Sequence, residues 1–300
     1  MTAWEAIFLG LLQGLTEFLP VSSSGHLVLA QRILGVKGGV VLFDVVAHLG
    51  TLLAVCVCFR KDLWTLAKKP VCKETGLLIL ATVPAVIVAL AFGDFIEKSF
   101  GGGYLGWGFL ITALMLLSVA KTKRRGRVMN GLQTPAPANG RGKVHAPAPS
   151  IGTLQEGKNE TGQANKGKTK KGFVGYKAAL FMGIAQALAV LPGISRSGAT
   201  VSGGLFAGAG RPQAARFSFL MSFPVILGAA ARELFKLGDV TQSVGALPLA
   251  LGFAFAAAAG VVSVKFMMNT IRKGRFWPFS IYLFILGAFV LLNQYVLNLF

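Results

Sequence analysis

Six apolar runs constrain the fold of this chain more than any other feature of its sequence. Each is close to the ~20 residues that a helix needs to cross the hydrocarbon core of a bilayer. Only 14% of the 300 residues are charged and 54% are hydrophobic, whereas a soluble domain carries about 25% charged residues. The sequence therefore predicts an all-α polytopic membrane protein. The predicted spans are residues 40–59, 76–93, 104–120, 216–232, 246–267 and 278–298.

The basic residues are unevenly distributed around these spans. If the six spans alternate in direction, 24 of the 30 Lys and Arg residues fall on one side and five on the other. Positively charged loops stay in the cytoplasm, so the bias places the basic segment 121–176 there. Because this segment has no apolar period, we expect a disordered loop with affinity for the bilayer surface. No aromatic residues interleave its charges, so we expect no nucleic-acid partner.

Two further apolar segments, 5–35 and 178–210, are interrupted and too short in each half to cross the membrane. The alternating topology requires that 178–210 enters and leaves on the cytoplasmic face, and that 5–35 dips in from the outer face or lies on it. Irregular backbone at membrane depth must be buried in protein or line a water-filled cavity. We therefore predict two re-entrant helical hairpins whose tips meet inside the protein.

The two hairpins also resemble each other in sequence. Seven residues between Gly10 and Val28 recur 173 positions later, and GLLQGLTEFLPVSSSGH shares the order Gly, Gln, Leu, Pro, Ser-x-Ser-Gly with GIAQALAVLPGISRSGA. One hairpin and three spans would make each half, and an odd number of spans inverts the second half. The prediction is an inverted-topology repeat, an architecture typical of transporters. The repeats would be residues 1–120 and 177–300, on either side of the basic loop.

Polar residues that lipid would not accommodate are concentrated at the two hairpin tips. Glu17 is the acid, and Arg196 the base, most clearly placed at membrane depth, where ionisable residues usually pair or serve a site. A structural Glu17–Arg196 ion pair is one interpretation. The number of neighbouring hydroxyl groups favours a functional site. The other candidate residues are Ser22, Ser23, Ser24, His26, Gly193, Ser195, Ser197, Gly198 and Thr200.

The second break, PGISRSG, has the residue types of a phosphate site. An arginine fork and the exposed N–H groups that begin a helix both bind phosphate oxygens. Gly193 and Gly198 would allow the backbone to approach an anion closely.

The first break adds catalytic and metal-binding candidates. Ser23 and His26 lie one helical turn apart and offer a nucleophile and a base. Gln13 and Glu17, at i and i+4, offer oxygen ligands that would join phosphate oxygens around Mg²⁺ or Ca²⁺. Together the two breaks predict a membrane-embedded site for phosphoryl transfer.

Asp44 and His48 share one face of the first predicted span. Their i, i+4 spacing suits a cation site as well as a hydrogen bond between the two side chains. We interpret them as a structural hydrogen-bonded pair and not as ligands.

At these motifs the chain resembles the undecaprenyl-diphosphate phosphatase family, which is also known for bacitracin resistance. The resemblance rests on QGLTEFLPVSSSGH, FDVVAHLGTLLAV, LPGISRSGAT and RFSFLMSFP. It implies a multi-pass enzyme of the bacterial plasma membrane that hydrolyses a C55 polyprenyl diphosphate, its lipid partner, in a cavity open to the outer face. The family's metal motif falls on Gln13 and Glu17, with Gln in place of one carboxylate, and its serine and histidine fall on Ser23 and His26. Its phosphate-binding segment falls on Ser195, Arg196, Ser197 and Thr200.

The resemblance implies a mechanism in which Ser23 attacks the terminal phosphorus, His26 relays the proton and Arg196 stabilises the developing charge. Direct attack by water remains an alternative. A transporter of a phospholipid-like or phosphate anion is the main competing function, because inverted repeats suit transport. SSSGH also resembles a motif of type 2 phosphatidic acid phosphatases, but SRSGATVSGGL lacks that family's second His and Asp. A homodimer is compatible with the sequence, which does not require one.

Overall fold

The computed structural model describes residues 1–36, 39–100, 103–131, 174–236, 244–297 and 299. Those residues form twelve α-helices and one π-helical turn, without any strand. Five of the helices described are long and apolar enough to cross a bilayer. The predicted class, an all-α multi-pass membrane protein, is therefore confirmed.

The helices follow one another with short connections. Those before the basic loop are α1 (Ala3–Phe18), α2 (Ser23–Ile33), α3 (Val40–Cys58), α4 (Arg60–Lys68), α5 (Lys73–Ala91), α6 (Gly93–Ser99) and α7 (Leu105–Gly131). Those after it are α8 (Tyr176–Leu188), α9 (Arg196–Phe206), α10 (Arg211–Lys236), α11 (Ala246–Lys273) and α12 (Trp277–Leu292), with the π-helical turn Asn293–Leu297. The five long apolar helices are α3, α5, α10, α11 and α12.

The remaining predicted span, 104–120, corresponds to the apolar part of α7, Leu105–Ala120, which is shorter than the five long apolar helices. Beyond it, α7 continues through the basic residues KTKRRGR to Gly131. The prediction that a loop begins at residue 121 is therefore wrong at that boundary. Lys and Arg are good helix formers, so a cluster of charges does not by itself end a helix. The rest of the predicted loop, 132–173, lies outside the described residues.

Two helical hairpins occupy the segments in which the sequence predicts them. In the first, α1 ends at Phe18 because Leu19, which precedes Pro20, adopts an extended conformation. In the second, the chain turns at Gly193, whose φ of 83° favours glycine. At 1.5 Å per residue, even the 16-residue α1 is shorter than the ~30 Å core of a bilayer.

Each hairpin packs its first helix against a long helix from the other half of the chain. Helix α1 lies along α11, and α8 lies along α5. A Cβ atom on Gly10 would lie 2.6 Å from the carbonyl oxygen of Gly252, and one on Gly183 would lie 2.8 Å from that of Ala81. Because small residues let helix backbones approach closely, these glycines fix both hairpins against the rest of the fold.

Aromatic side chains form the core beneath the hairpin breaks. Phe18, Phe109 and Phe219 are fully buried in the largest hydrophobic cluster. The rings of Phe18 and Phe219 meet edge to face with centroids 5.6 Å apart. Such a pair contributes about 1 kcal/mol beyond the burial of its area. Because Phe18 is the last residue of α1, this contact also holds the end of α1 in place.

Candidate active site

A cavity of about 670 Å³ lies between the two halves of the chain. Its volume is within the ~300–1,000 Å³ typical of small-molecule sites. Much of its wall is apolar and comes from α2, α3, α6 and α10, with residues such as Val41, Ile96 and Ile226. Its polar lining comes largely from the two breaks and from one face of α2 and α3. These polar residues include Glu17, Ser22, Ser23, Ser24, Gln31, Asp44, His48, Ser195 and Arg196.

Glu17 of the first hairpin and Arg196 of the second are in contact at this cavity. Arg196 Nη2 donates a hydrogen bond to Glu17 Oε1, and the Glu17 side chain is only 4% exposed. The other terminal nitrogen, Arg196 Nη1, is buried and has no hydrogen-bond partner among the described residues. Buried polar groups are rarely left unpaired, so this nitrogen points to an anion beyond the ion pair itself.

Ser23 contacts the second oxygen of the same carboxylate. Its Oγ donates a 2.5 Å hydrogen bond to Glu17 Oε2. The preceding residue, Ser22, has a φ of 69°, the one positive φ of a non-glycine residue in the described chain. This left-handed turn begins α2 at Ser23. The structure therefore places the Ser23 hydroxyl, a candidate nucleophile, within hydrogen-bonding distance of a carboxylate that could serve as its base.

The helices that follow the two breaks begin in the same way. Ser22 Oγ accepts a hydrogen bond from Gly25 N at 3.4 Å, and Ser195 Oγ accepts one from Gly198 N at 3.1 Å. Both serines are N-caps, which satisfy N–H groups of the first helical turn. Because both caps line the cavity, the N-termini of α2 and α9 border it, and helix N-termini bind anions.

His26 does not contact Ser23, although the sequence predicts that they act together. Its Nδ1 lies 2.7 Å from the carbonyl oxygen of Ser22, and its Nε2 lies 2.7 Å from the hydroxyl of Tyr282. The residue is 7% exposed and is not among those that line the cavity. The predicted contact fails because both ring nitrogens are held by other partners.

Two predicted phosphate ligands, Ser197 and Thr200, face the protein and not the cavity. Ser197 Oγ donates to the carbonyl oxygen of Leu19 at 2.9 Å, which ties the two breaks together. Thr200 Oγ1 lies 2.8 Å from the carbonyl oxygen of Arg196 and 2.6 Å from Ser218 Oγ.

The predicted glycines have packing roles in this structure. A Cβ atom on Gly193 would lie 2.4 Å from the carbonyl oxygen of Leu105, and one on Gly198 would lie 3.3 Å from Pro20 Cβ. These glycines allow α7 and the first break to approach α9. They are not among the residues that line the cavity.

Gln13 precedes Glu17 by one turn of α1, is fully buried and is not among the residues that line the cavity. Its Nε2 donates to Glu17 Oε2 at 3.0 Å, while its Oε1 is buried without a partner among the described residues. An unpaired amide oxygen beside a carboxylate is compatible with a bound Mg²⁺ or Ca²⁺. No group of three or more His, Cys, Asp or Glu in the described chain could hold a metal alone, so phosphate oxygens would have to complete its coordination.

Gln31, Asp44 and His48 also line the cavity, although the sequence predicts no functional role for them. Gln31 Nε2 donates to Asp44 Oδ1 at 2.7 Å, and His48 Nε2 lies 3.8 Å from Glu17 Oε2. Asp44 and His48 are hydrogen-bonded, but not between their side chains as predicted. His48 Nδ1 bonds to the backbone oxygen of Asp44 at 2.6 Å. The i, i+4 spacing of Asp44 and His48 is compatible with a helix face that lines a cavity. It is equally compatible with a hydrogen bond between the two side chains, so the spacing alone could not identify the cavity.

Comparison with known proteins identifies the family. The family model described as "Bacitracin resistance protein BacA" matches residues 6–289. The chain belongs to this family. The resemblance predicted from the sequence is thus confirmed.

Three relatives cover nearly the whole chain, and each is named undecaprenyl-diphosphatase. The protein of Carboxydothermus hydrogenoformans is 39% identical, with 98% of both chains covered. That of Christiangramia forsetii is 37% identical over 98% of this chain and 99% of its own, and that of Elusimicrobium minutum is 34% identical over 98% of both.

Proposed function

We propose that this protein hydrolyses undecaprenyl diphosphate to undecaprenyl phosphate and phosphate, and so recycles the lipid carrier of cell-wall synthesis. The unpartnered, buried Arg196 Nη1 at a cavity shared with Ser23 and Glu17 carries the proposal, because it provides for an additional anion beside a nucleophile. The BacA family and the names of the relatives support the same activity and do not favour the transporter.

We further propose a topology of six spans and two re-entrant hairpins in an inverted repeat, in the bacterial plasma membrane. The repeats are residues 1–120 and 177–300, and the basic loop between them is cytoplasmic. The cavity would open to the outer face. In support, Arg32 and Arg232 both line the cavity and belong to the few basic residues that the charge distribution assigns to the outer side.

In the proposed mechanism, the terminal phosphate binds between the N-termini of α2 and α9, next to Arg196. Ser23 Oγ attacks the terminal phosphorus while Glu17 takes its proton across the 2.5 Å hydrogen bond. The new bond joins Oγ to phosphorus, and the bond from phosphorus to the bridging oxygen breaks. Undecaprenyl phosphate leaves with that oxygen, and Arg196 stabilises charge on the transferring group.

The second step returns the enzyme to its starting state. A water molecule attacks the phosphorus of the phosphoserine, the Oγ–phosphorus bond breaks, and inorganic phosphate is released. Ser23 regains a proton from Glu17. This role of Glu17 replaces the one predicted from the sequence for His26, whose ring nitrogens are bound by Ser22 and Tyr282.

A divalent cation, Mg²⁺ or Ca²⁺, is part of the proposal. Glu17 and the unpaired amide oxygen of Gln13 would hold it. When bound, it would neutralise charge on the diphosphate oxygens. Of the remaining predicted residues, Ser22, Ser24 and Ser195 line the proposed phosphate site. Gly193, Ser197, Gly198 and Thr200 stabilise the segments that surround it through packing and hydrogen bonds.

Phosphate release from undecaprenyl diphosphate by the purified protein in detergent tests the function. Arg196→Ala should lower kcat/KM by at least ~100-fold, the effect of losing one oxyanion donor. Arg272→Ala removes an exposed guanidinium from the last turn of α11 and is the matched control, with near wild-type activity. Wild-type levels of phosphate release by Arg196→Ala would refute the proposal.

Acid quench during turnover tests the covalent step. A phosphoserine at residue 23, detected by peptide mass spectrometry and missing in Ser23→Ala, would support it. If the wild type turns over many times and no phosphorylated Ser23 peptide accumulates or is trapped, water attacks directly and Ser23 only binds the phosphate.

A further inference from the structure

Tyr282 of α12 is connected through two hydrogen bonds to Ser22, the residue before the proposed nucleophile. The Ser22 carbonyl can only accept, so His26 Nδ1 carries the hydrogen of that 2.7 Å contact. In a neutral ring Nε2 is then the acceptor, and the Tyr282 hydroxyl donates to it at 2.7 Å. The Tyr282 and His26 rings are also stacked, with an interplanar angle of 18°.

This connection ends at the strained residue of the first break. The φ of 69° at Ser22 lies in the left-handed region, which side chains other than glycine rarely adopt. Such conformations persist only where the surroundings enforce them. The ring of His26 and its backbone N–H both bond to the Ser22 carbonyl oxygen. The next residue is Ser23, whose Oγ meets Glu17.

A threonine from α7 is connected to the second break in a comparable way. Thr112 Oγ1 accepts the backbone N–H of Ser195 at 3.0 Å, and its own hydrogen can be donated to the carbonyl oxygen of Gly108 at 3.0 Å or to that of Gly193 at 3.4 Å. Thr112 is fully buried, and Gly193 is the positive-φ glycine of the turn. The residue after Ser195 is Arg196, so this single hydroxyl fixes the backbone from which the guanidinium extends.

The two connections cross between the halves of the chain. Tyr282 of α12 acts on the first hairpin, whereas Thr112 of α7 acts on the second. Helices α7 and α12 pack together, and Ser280 Oγ donates to the carbonyl oxygen of Ala113 at 2.6 Å. Each half therefore contributes a residue that orients the break of the other half.

We propose that Tyr282 and Thr112 are positioning residues for the reaction: Tyr282, through His26, sets the turn that presents Ser23, and Thr112 sets the turn that presents Arg196. The catalytic part of this inference rests on the proposed phosphatase function. The positional part does not, because it concerns the backbone of the two breaks.

The first experiment measures the breaks without any substrate. Hydrogen–deuterium exchange of the full-length protein in detergent is compared for Tyr282→Phe, which keeps the stacked ring, and Thr112→Val, which keeps the shape. Tyr282→Phe should raise exchange in residues 19–25 and leave 193–198 unchanged, and Thr112→Val should do the reverse. Tyr295→Phe, an exposed tyrosine in the π-helical turn, is the control. Unchanged exchange in both variants, or equal increases at both breaks, would overturn the proposal.

The second experiment measures turnover. Tyr282→Phe and Thr112→Val should each lower kcat by ~10- to 100-fold with little change in KM, as expected for misplaced catalytic groups. Thr112→Ser, which keeps the hydroxyl, should recover most of the loss. Normal kcat in an active preparation would refute the positioning role, whereas an inactive wild type would count against the phosphatase function and leave the exchange result to decide.

Discussion

At the first break Ser22 caps α2 and lies 3.4 Å from Ser24 Oγ; at the second, Ser195 caps α9 and lies 3.2 Å from Ser197 Oγ. These residues correspond at the repeat distance of 173 positions. The side chains between them differ. Where the first break has Glu17, Ser23 and His26, the second has Val190, Arg196 and Ala199.

The two breaks share the serine cap but differ in backbone, because Ser22 has a φ of 69° and Ser195 one of -71°, and they also differ in the side chains that reach the cavity. Both Glu17 and Val190 line the cavity, as do Ser23 and Arg196. In the proposed mechanism the first break supplies the nucleophile and the base, and the second supplies the cationic group for the phosphate. The two breaks depend on each other through the Glu17–Arg196 ion pair. Removing one partner of a buried ion pair costs about 3–5 kcal/mol, because the other charge is left buried and unpaired.

The largest effect should come from removing the carboxylate that the second break lacks. Glu17→Gln keeps the shape of the side chain but abolishes the base for Ser23 and the counter-ion of Arg196. We expect a loss of ~10³-fold or more in phosphate release, within the range of general-base catalysis. Val190→Gln introduces the same side chain at the equivalent position of the second break, and it should lower phosphate release far less. Similar losses in the two variants would show that the breaks are not chemically different.

A smaller effect should separate a positioning role of His26 from a proton-transfer role. His26→Asn keeps an N–H donor close to the position of Nδ1, whereas His26→Leu keeps only the bulk. We expect kcat of the Leu variant to fall by ~10- to 100-fold, and that of the Asn variant to fall less. Equal and complete inactivation of both variants would assign a proton-transfer role to the imidazole.

The two buried glutamines allow a matched test of the cation site. Gln13 and Gln186 are equivalent in the repeat, and each has a buried side-chain oxygen without a partner in the described chain, but only Gln13 adjoins a carboxylate. After chelation and titration with Mg²⁺ or Ca²⁺, Gln13→Ala should need ~10-fold more cation for half-maximal activity. Gln186→Ala should titrate like the wild type. Coincident titration curves for all three proteins would remove Gln13 from the site.

The smallest effect should be shared by both breaks. Ser22→Ala and Ser195→Ala each remove an N-cap hydrogen bond, which is worth about 1 kcal/mol. We expect the two variants to lower the thermal midpoint of the detergent-solubilised protein by similar amounts. A large difference between the two midpoints would show that the two cap hydrogen bonds contribute unequally to stability.

Much of the fold was predictable because it leaves local patterns in the sequence. The apolar runs identified the long helices, the two interrupted apolar segments identified the helical hairpins, and the lone Glu17 and Arg196 identified where the hairpin tips meet. The end of α7 was missed because the charged residues that follow its apolar part are themselves good helix formers.

The partners of the site residues were less predictable. The i, i+3 spacing of Ser23 and His26 makes them neighbours on a helix, but it cannot show that a tyrosine 256 residues away holds the imidazole. Thr112 is likewise 83 residues from Ser195. Such contacts depend on how α7 and α12 pack, and a single sequence carries no pattern for that packing.

The contact between Glu17 and Arg196 also affects what the resting enzyme can capture. Because Arg196 Nη2 is already bound to this carboxylate, an incoming anion shares the guanidinium through the unpaired Nη1. In the proposed mechanism, retention of the substrate also depends on burying hydrocarbon along the Val41, Ile96 and Ile226 side of the cavity. The released phosphate has no such hydrocarbon, so we expect it to bind more weakly than the lipid and to inhibit turnover little.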